Sequence, residues 1–527
     1  MRSRDRAALT VLVDFRTDEA GSDISCDVCI IGAGAAGITL ACALIDSGIQ
    51  VCLLESGGLE YSPDIQSLYE GEGVGLENAS PTGCRLRYFG GSTNHWAGWC
   101  APLRDIDFES RPWIPNSGWA IRRSDLSEYY EKAQDICQIG SLGYARNTLM
   151  DDDHHFPPFS SDKIDIRFFR FSPPTRFGQV YREKLSKAKN VKVFLYANTT
   201  LLETNKTASE VRRVRLQSLE GKTGAVSARF IVLACGGMEN ARLLLLSNRV
   251  ERAGLGNGSG LVGRYFMQHI EGVAGNILAT DEYALANFST YRKRGVDVIA
   301  ELSLSEKAQK KNEISNSGFT IKRGGRPGPG YNSLRKIWKD VKKGHWPEDF
   351  SHRLWTVLTN LGSVGRTVFK EDKSISRLYV RAEPLPNRDS RISLSDSRDV
   401  FGLPKIKVNW QLTQFDKRSI IESTHRIAEE LGRLDIGRVE LADWVTQEDN
   451  TWPQPLWGGC HHMGTTRMSN DPATGVVDSN CRMHSVRNLY IAGSSVFPTA
   501  GYVPPTLTIV ALALRLGDHL KRQYNGS

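Results

Sequence analysis

The sequence of 527 residues predicts an α/β fold with a parallel sheet, and three features near its N-terminus support this prediction. Residues 26–31 form a short apolar run with β-branched side chains, as expected of a buried parallel strand. A glycine turn and an alanine-rich segment, 35–46, follow, and the segment is typical of a helix. A second apolar run, Val51–Leu54, then predicts another strand. Strand, glycine turn, helix and strand in this order within about thirty residues predict a Rossmann-like βαβ unit.

Each part of this unit has a physical role in holding a dinucleotide. Gly32 permits the tight turn, Gly34 lets a pyrophosphate approach the backbone, and Gly37 lets the helix pack on the strand. The helix N-terminus offers unpaired N–H groups to the phosphates. Glu55 can accept hydrogen bonds from ribose hydroxyls, which argues against NADP but does not distinguish FAD from NAD. The candidate contacts of this unit are Gly32, Gly34, Ala36, Gly37, Glu55 and Ser56.

Length and composition indicate a globular protein of two or three domain-sized units. Hydrophobic residues make up 40% of the chain and charged residues 24%, with a mean hydropathy of −0.34. The net charge of +8 is modest and does not coincide with a recognisable nucleic-acid-binding module, so no nucleic-acid partner is expected. No run of about eighteen apolar residues occurs, and no signal-peptide-like stretch opens the sequence. These features predict a cytoplasmic protein without a membrane span.

The ten cysteines are scattered along the chain, which argues against a disulfide framework. Cys26 and Cys29 form a C-x-x-C within the first predicted strand, so we expect buried thiols rather than a redox or zinc pair. The sequence DDDHH at 151–155 lacks the spacing of a metal site. We expect an exposed loop there, and no bound metal.

Several further motifs carry a resemblance to a known family. They are GGSTNHW at 90–96 after Arg85 and Arg87, IVLACGGMEN at 231–240, HHMGTTRM at 461–468, LYIAGSS at 489–495 and PTLT at 505–508. The segments SGWAI…DLSEYY (117–130), VGRYFMQH (262–269) and LPNRDSRISLS (385–395) belong to the same pattern. Together they make the sequence resemble the glucose–methanol–choline (GMC) oxidoreductases, especially the bacterial sugar and polyol dehydrogenases and the pyranose-oxidase branch. The resemblance covers nearly the whole chain.

The resemblance implies FAD as the cofactor and a discontinuous FAD-binding domain made from residues 1–110, 190–275 and 455–527. Residues 111–189 and 276–454 would form an α+β substrate-binding domain that carries an antiparallel sheet. The β-rich runs 191–196, 230–234 and Leu489–Ile491 support this division, because the last two run directly into glycine turns. Beyond the βαβ unit, the implied cofactor contacts are Arg87, Gly90, Gly91, Ser92, Asn94, His95, Trp96, Ala234, Glu239, Arg242, Gly493, Ser494, Pro505 and Thr506.

The reaction that the resemblance implies is oxidation of a CH–OH group on a sugar, a polyol or a sugar-like metabolite. Such a reaction needs a base for the hydroxyl proton while the flavin takes the hydride, and a pKa near neutrality favours histidine. His461, three residues before Gly464, matches the family's catalytic histidine. The adjacent His462 would point in a different direction on an extended segment.

The family usually places a second histidine or an asparagine directly before the proline–threonine pair near the tail, but this sequence has Pro504 there. Proline offers no side-chain donor or acceptor. Tyr502 and His462 are the local candidates to replace it. A natural-product tailoring flavoenzyme with a different oxidation, a non-catalytic flavin-binding or electron-transfer protein, and a nicotinamide-dependent dehydrogenase therefore stay open as alternatives.

Three further features concern the flavin site and its surroundings. In the pyranose-oxidase branch, the histidine before the tryptophan of the glycine-rich segment carries a covalent bond to the flavin, and His95 matches it; non-covalent binding stays open. The helix after Pro505 would direct its N-terminus at the flavin ring, and His269 is a candidate to line the flavin cavity.

A flexible loop is predicted at 322–330 and a basic helix at 331–345. The sequence does not identify the electron acceptor, which could be oxygen, a quinone or a redox protein.

Overall fold

The computed structural model describes residues 12–17, 23–76, 81–150, 155–323, 375–447, 451–453 and 456–526, with a few single positions between 324 and 374. The acidic part of DDDHH with its first histidine (151–154) lies outside the described residues. So do nearly all of the loop predicted at 322–330 and of the basic segment 331–345.

The first sheet contains the predicted parallel strands. Its order is β1-β7-β3-β2-β10-β9-β8, and β20 also pairs with β10. Within this order, β1, β7, β3, β2 and β10 pair in parallel with their neighbours, and β20 pairs in parallel with β10. At the other edge, β9 pairs antiparallel with both β10 and β8. The strands are β1 (Leu12–Asp14), β2 (Asp23–Ile31), β3 (Val51–Leu54), β7 (Val191–Leu195), β8 (Asn198–Thr204), β9 (Val211–Gln217), β10 (Thr223–Leu233) and β20 (Leu489–Ile491).

A second, antiparallel sheet stands beside the first, as the sequence predicted. Its order is β18-β11-β15-β14-β13-β6-β5, with β12 on β13 and β19 on β11. The strands are β5 (Trp99–Cys100), β6 (Ile164–Phe171), β11 (Ile270–Ala279), β12 (Tyr291–Lys293), β13 (Val296–Leu304), β14 (Ser317–Arg323), β15 (Ile375–Ala382), β18 (Gly437–Leu441) and β19 (Trp457–Gly458). A small third sheet joins β4 (Gly71–Gly75) to β16 (Arg391–Arg398) and β17 (Pro404–Trp410).

The described helices cover the sheets and connect their strands. They are α1 (Ala35–Ala43), α2 (Pro63–Ser67), α3 (Asp105–Phe108), α4 (Ser127–Ile136), α5 (Arg146–Leu149), α6 (Phe177–Val180), α7 (Arg182–Ser186), α8 (Gly236–Leu246), α9 (Glu282–Ala286), α10 (Glu306–Asn312), α11 (Gln414–Arg433), α12 (Asp443–Thr446) and α13 (Thr506–Asn525). The tail helix α13 packs on α1 and α4. None of the described helices is both long and apolar enough to cross a membrane.

The strands of the first sheet come from the three segments expected to form the FAD-binding domain. By contrast, β11 begins at Ile270, inside the segment 190–275, yet it belongs to the antiparallel sheet. The domain boundaries themselves stay a prediction. The helix predicted at 35–46 ends three residues earlier, at Ala43, because the chain turns before β3 and Asp46 takes a φ of +58°.

The two cysteines of the C-x-x-C lie in β2, as expected. Both carry free thiols, with Cys29 buried and Cys26 half-buried. Burial raises the pKa of the Cys29 thiol, so it behaves as an inert apolar group. Its neighbours Val28 and Ile30 are fully buried, which gives β2 the apolar surroundings of a central parallel strand.

Candidate active site

The glycine turn after β2 brings three parts of the chain into close contact. Gly32 has a φ of +105°, and a Cβ there would stand 2.7 Å from the carbonyl oxygen of Ala234 at the end of β10. A Cβ on Gly37 would stand 1.9 Å from the carbonyl oxygen of Gly32, so helix and turn can approach only without a side chain. A Cβ on Gly34 would meet nothing within 4 Å, which leaves its backbone open to a bound group.

A cavity of about 760 Å³ lies against this turn, within the size range of ligand sites. It gathers most of the residues that the sequence singled out, from all three segments of the predicted FAD-binding domain. Those that line it are Gly32, Gly34, Ala36, Glu55, Ser56, Arg87, Gly91, Ser92, His95, Trp96, Ala234, Glu239, His461, His462, Gly493, Ser494, Pro504, Pro505 and Thr506.

Besides His269, five candidates do not line the cavity: Gly37, Gly90, Asn94, Arg242 and Tyr502. Gly37 packs directly against the carbonyl group of Gly32 in the turn. Gly90 and Asn94 lie in the second glycine segment, and a Cβ on Gly90 would stand 2.8 Å from the backbone nitrogen of Gly178. The Asn94 amide donates to the carbonyl of Phe89 at 3.0 Å. These two residues therefore shape the cavity wall without facing it.

Glu55 closes the end of β3 as the sequence predicted. Its carboxylate accepts hydrogen bonds from the backbone N–H groups of Ala33 (3.0 Å) and Gly57 (2.9 Å). Burial raises the pKa of Glu55, and these two backbone donors oppose that rise. The carboxylate is thus fixed beside the glycine turn, where it borders the cavity.

Glu239 is the centre of a buried cluster of arginines. Its carboxylate receives a hydrogen bond from Arg85 at 2.8 Å and faces Arg242 at 3.4 Å and Arg87 at 3.6 Å. Burial alone would raise the pKa of Glu239, but the three guanidinium groups overcome this and hold it at about 2. Arg242 also pairs with Asp399 at 2.6 Å, so it anchors Glu239 from outside the cavity. Arg87 brings a positive charge to the cavity wall.

His461 lines the cavity and contacts a second histidine that the sequence argument did not pair with it. The Nδ1 atoms of His461 and His269 are 2.9 Å apart. The Nε2 of His269 lies 2.9 Å from the carbonyl oxygen of Gly501. Burial, and then the nearby Arg381, lower the pKa of His461 to about 3. His461 is therefore a neutral imidazole at physiological pH.

His269 itself is fully buried and does not line the cavity, which corrects the expectation that it could do so. The candidates to replace the family's second polar residue are placed differently as well. The Tyr502 ring packs against Gly318 and Phe169, and its hydroxyl has no hydrogen-bond partner among the described residues. His462 borders the cavity and stacks on Phe266, with ring centroids 5.8 Å apart.

The N-terminus of α13 borders the cavity through Thr506 and Ile509. The helix begins after Pro505 and has no acidic residue in its first turn, so no side-chain charge there offsets its partial positive end. This agrees with the expectation that the tail helix directs its N-terminus at the cofactor site.

The antiparallel sheet contributes a polar wall to the same cavity. The side chains of this wall are Glu271, Thr320, Lys322, Tyr379 and Arg381. Arg381 pairs with the fully buried Glu301 at 3.0 Å and donates through Nε to the carbonyl of Tyr502 at 2.7 Å. Burial raises the pKa of Glu271, an effect that Arg381 opposes. This wall is not visible in the sequence, because its residues come from three strands that pair only in the folded chain.

A disulfide joins Cys84 to Cys460, and both half-cystines line the cavity. It connects the segment that carries Arg85 to the residue next to His461. The other eight cysteines are free thiols. The expectation of no disulfide framework is consistent with this single bond, but the bond itself was not foreseen, since 376 residues separate its two ends.

His95 is exposed on the cavity side, and its ring contacts the backbone of Cys84. Burial lowers the pKa of His95, so the ring favours its neutral form. The next residue, Trp96, is held by a hydrogen bond from its indole N–H to the carbonyl of Thr175 at 2.9 Å. The histidine therefore lies on a fixed segment at the cavity.

The parallel βαβ unit and the antiparallel sheet share one histidine-bearing cavity, as the resemblance to the GMC oxidoreductases implied. Comparison with known proteins agrees with this class: residues 386–513 match the family model described as GMC oxidoreductase. This C-terminal part of the chain is therefore similar to the GMC oxidoreductases.

Two curated relatives are similar over almost their whole length. The 2-methyl-1,2-propanediol dehydrogenase of Mycolicibacterium austroafricanum is 24% identical, with 95% of this chain and 96% of the relative covered. The paromamine 6'-oxidase of Streptomyces fradiae is 26% identical, with 94% and 92% covered. Among solved structures, one described as a study of FAD modification in the formate oxidase of Aspergillus oryzae RIB40 has a TM-score of 0.53 at 15% identity. It covers 96% of this chain and 100% of that chain. That structural likeness supports the fold.

Proposed function

We propose that this protein is an FAD-dependent oxidoreductase that oxidises a CH–OH group on a sugar, a polyol or a sugar-like metabolite. The observation that carries the proposal is that the glycine turn and His461 line one and the same cavity. The names of the two relatives, 2-methyl-1,2-propanediol dehydrogenase and paromamine 6'-oxidase, support a CH–OH donor.

The residues around the glycine turn fit a bound FAD. The open backbone at Gly34 and the cationic Arg87 suit a pyrophosphate, and Glu55 suits a ribose. The Nε of Arg87 and the hydroxyl of Thr199 are buried beside the cavity and have no hydrogen-bond partner among the described residues. Buried polar atoms are nearly always paired, so these two groups indicate that a polar ligand completes the site. When bound, FAD would supply the acceptor for the hydride.

His461 is the proposed general base. It lines the cavity, and its ring is neutral, so one ring nitrogen has a lone pair that can accept a proton. Burial holds the pKa of His461 at about 3, below the neutral range that suits a base best. The hydroxyl proton of the substrate would go to His461 as the C–H hydride leaves for the flavin, which turns the CH–OH group into a carbonyl.

The polar wall suits a substrate with several hydroxyl groups. Glu271 supplies a carboxylate acceptor, whereas Lys322 and Arg381 supply cationic donors. A sugar or polyol presents donors and acceptors in close alternation and can satisfy both kinds of group. A simple apolar alcohol would offer the Glu271 carboxylate no further hydrogen bonds, which costs binding free energy.

Two measurements on the purified protein test this proposal. The protein should show the absorbance of oxidised flavin, and anaerobic addition of a panel of sugars, polyols and simple alcohols should bleach it with at least one polyhydroxylated member. Absence of flavin absorbance would reject the cofactor. Flavin that no member of the panel bleaches would favour a non-catalytic protein or a different oxidation.

The form of flavin attachment has its own test at His95. If the yellow colour stays with the protein after acid precipitation and leaves with the supernatant in His95→Ala, the flavin is covalently bound at His95. If the colour leaves the unaltered protein, His95 only packs beside the flavin.

A further inference from the structure

We propose that His269 is a positioning residue that holds His461 in the tautomer whose Nε2 carries no proton. The inference rests on the proposed role of His461 as base. His269 is fully buried and does not line the cavity, so it can influence the reaction only through His461.

The hydrogen bond to Gly501 fixes the proton on His269. A backbone carbonyl oxygen can only accept, so the Nε2 of His269, 2.9 Å from the oxygen of Gly501, must carry a hydrogen. If His269 is neutral, its Nδ1 then has a lone pair and no proton.

The surroundings of His269 keep it neutral. The ring is fully buried, and the charged or titratable groups that act on it are Arg381 and His461. Burial disfavours the imidazolium, and a nearby guanidinium adds repulsion, so the pKa of His269 lies well below its usual range. With one proton, on Nε2, its Nδ1 is a hydrogen-bond acceptor.

The tautomer of His461 follows from this acceptor. Its Nδ1 lies 2.9 Å from the Nδ1 of His269 and must donate, so it carries the proton of the neutral ring. The other nitrogen of His461, Nε2, then carries no proton and has a free lone pair. The two rings meet edge to face at 74°, with centroids 4.9 Å apart. A general base requires an unprotonated nitrogen of this kind on a ring that lines the cavity.

The backbone fixes the distance between the two histidines. The N–H of Gly459 donates to the carbonyl of His269 at 3.0 Å, and Met267 and Met463 exchange two hydrogen bonds of 3.0 and 2.9 Å. The segments that carry His269 and His461 therefore run side by side as a short antiparallel ladder. The acceptor for the His461 proton is part of the fold and does not depend on a flexible side chain.

Three replacements of His269 separate its two hydrogen bonds. His269→Asn keeps an acceptor near the Nδ1 position, His269→Gln keeps a donor near the Nε2 position, and His269→Phe keeps only the ring shape. We expect flavin reduction by the best donor of the panel to slow about 10–100-fold in the Phe and Gln variants, with KM nearly unchanged, and to recover largely in the Asn variant. Equal rates in the Asn and Gln variants, or an unchanged rate in the Phe variant, would overturn the proposal.

A second measurement reads the tautomer without turnover. In the flavin-loaded protein with ¹⁵N-labelled histidine, long-range proton–nitrogen correlation spectra show which ring nitrogen is protonated, and His461→Gln assigns the His461 signals. We expect a protonated Nδ1 and a bare Nε2 on His461. A bare Nδ1 would refute the role of His269 even if the panel bleaches the flavin. The expected tautomer in a protein that no donor reduces would instead reject the proposed function and leave the histidine pair intact.

Discussion

Arg111 and Glu383 form a buried, bidentate ion pair, with nitrogen–oxygen distances of 2.8 and 2.7 Å. The same carboxylate accepts the backbone N–H of Gly501 at 3.1 Å, and the carbonyl of Gly501 faces His269. The pair therefore fixes the part of the tail on which the histidine arrangement depends.

We expect Arg111→Leu to lower the free energy of unfolding by about 3–5 kcal/mol, because it leaves the Glu383 carboxylate buried without its cation. Chemical denaturation measures the loss. The matched control is Lys132→Ala, which breaks the exposed pair with Glu128 and should cost about 0.3–0.5 kcal/mol. Equal effects of the two replacements would show that the buried pair has no special structural role.

The Cys84–Cys460 disulfide predicts a definite thiol count. The denatured, unreduced protein should react with a thiol reagent at eight cysteines, and at all ten after reduction. Ten reactive thiols without reduction would contradict the bond. Cys84→Ser should lower the stability by about 2–4 kcal/mol, since the bond closes a long loop, and a reducing agent should then have little further effect on that variant.

The glycine turn predicts a selective loss of cofactor. Gly37→Ala places a Cβ where the carbonyl oxygen of Gly32 stands at 1.9 Å, so helix α1 must move away from the turn. We expect this variant to purify with little or no flavin, measured as the ratio of flavin to protein absorbance. Gly143→Ala is the control, because a Cβ there would meet only the Thr148 hydroxyl, at 3.9 Å. Normal flavin content in Gly37→Ala would contradict the proposed binding mode.

The buried histidines predict the pH dependence. The pKa values of His461 and His462 are lowered from 6.5 to about 3, by burial above all. The rate of flavin reduction should therefore stay flat from about pH 8 down to about pH 5, because His461 stays neutral. An inflection near pH 6.5 that His461→Ala removes would contradict this. The unfolded chain takes up these two protons first, so stability should fall as the pH drops below 6.5 towards 3.

Features set by neighbours in the sequence were predictable. The strand Val51–Leu54, the glycine turn before α1 and the strand Leu489–Ile491 lie where the sequence placed them, because short apolar runs and glycine spacing determine them locally. The histidine pair was not predictable in this way. His269 and His461 are 192 residues apart, and their contact depends on how two distant segments align in the fold.

The partner of His461 illustrates the same limit. From the sequence alone, the candidates to assist His461 were Tyr502 and His462, because these are polar residues close along the chain to Pro504 and His461. In the structure, Tyr502 packs away from the cavity, and the residue that contacts His461 comes from the segment before β11. That segment, VGRYFMQH, was already part of the resemblance, so its terminal histidine was the available signal.

The most direct test of the central claim is anaerobic, single-turnover reduction of the bound flavin by the best sugar or polyol of the panel. It compares His461→Ala with the unaltered protein, and His425→Ala, on the exposed side of α11, serves as the control. We predict that His461→Ala retains its flavin but is reduced about 10²–10⁴-fold more slowly, as expected for loss of a general base, while His425→Ala matches the unaltered protein. Equally fast bleaching in His461→Ala would contradict the assignment of His461 as the base.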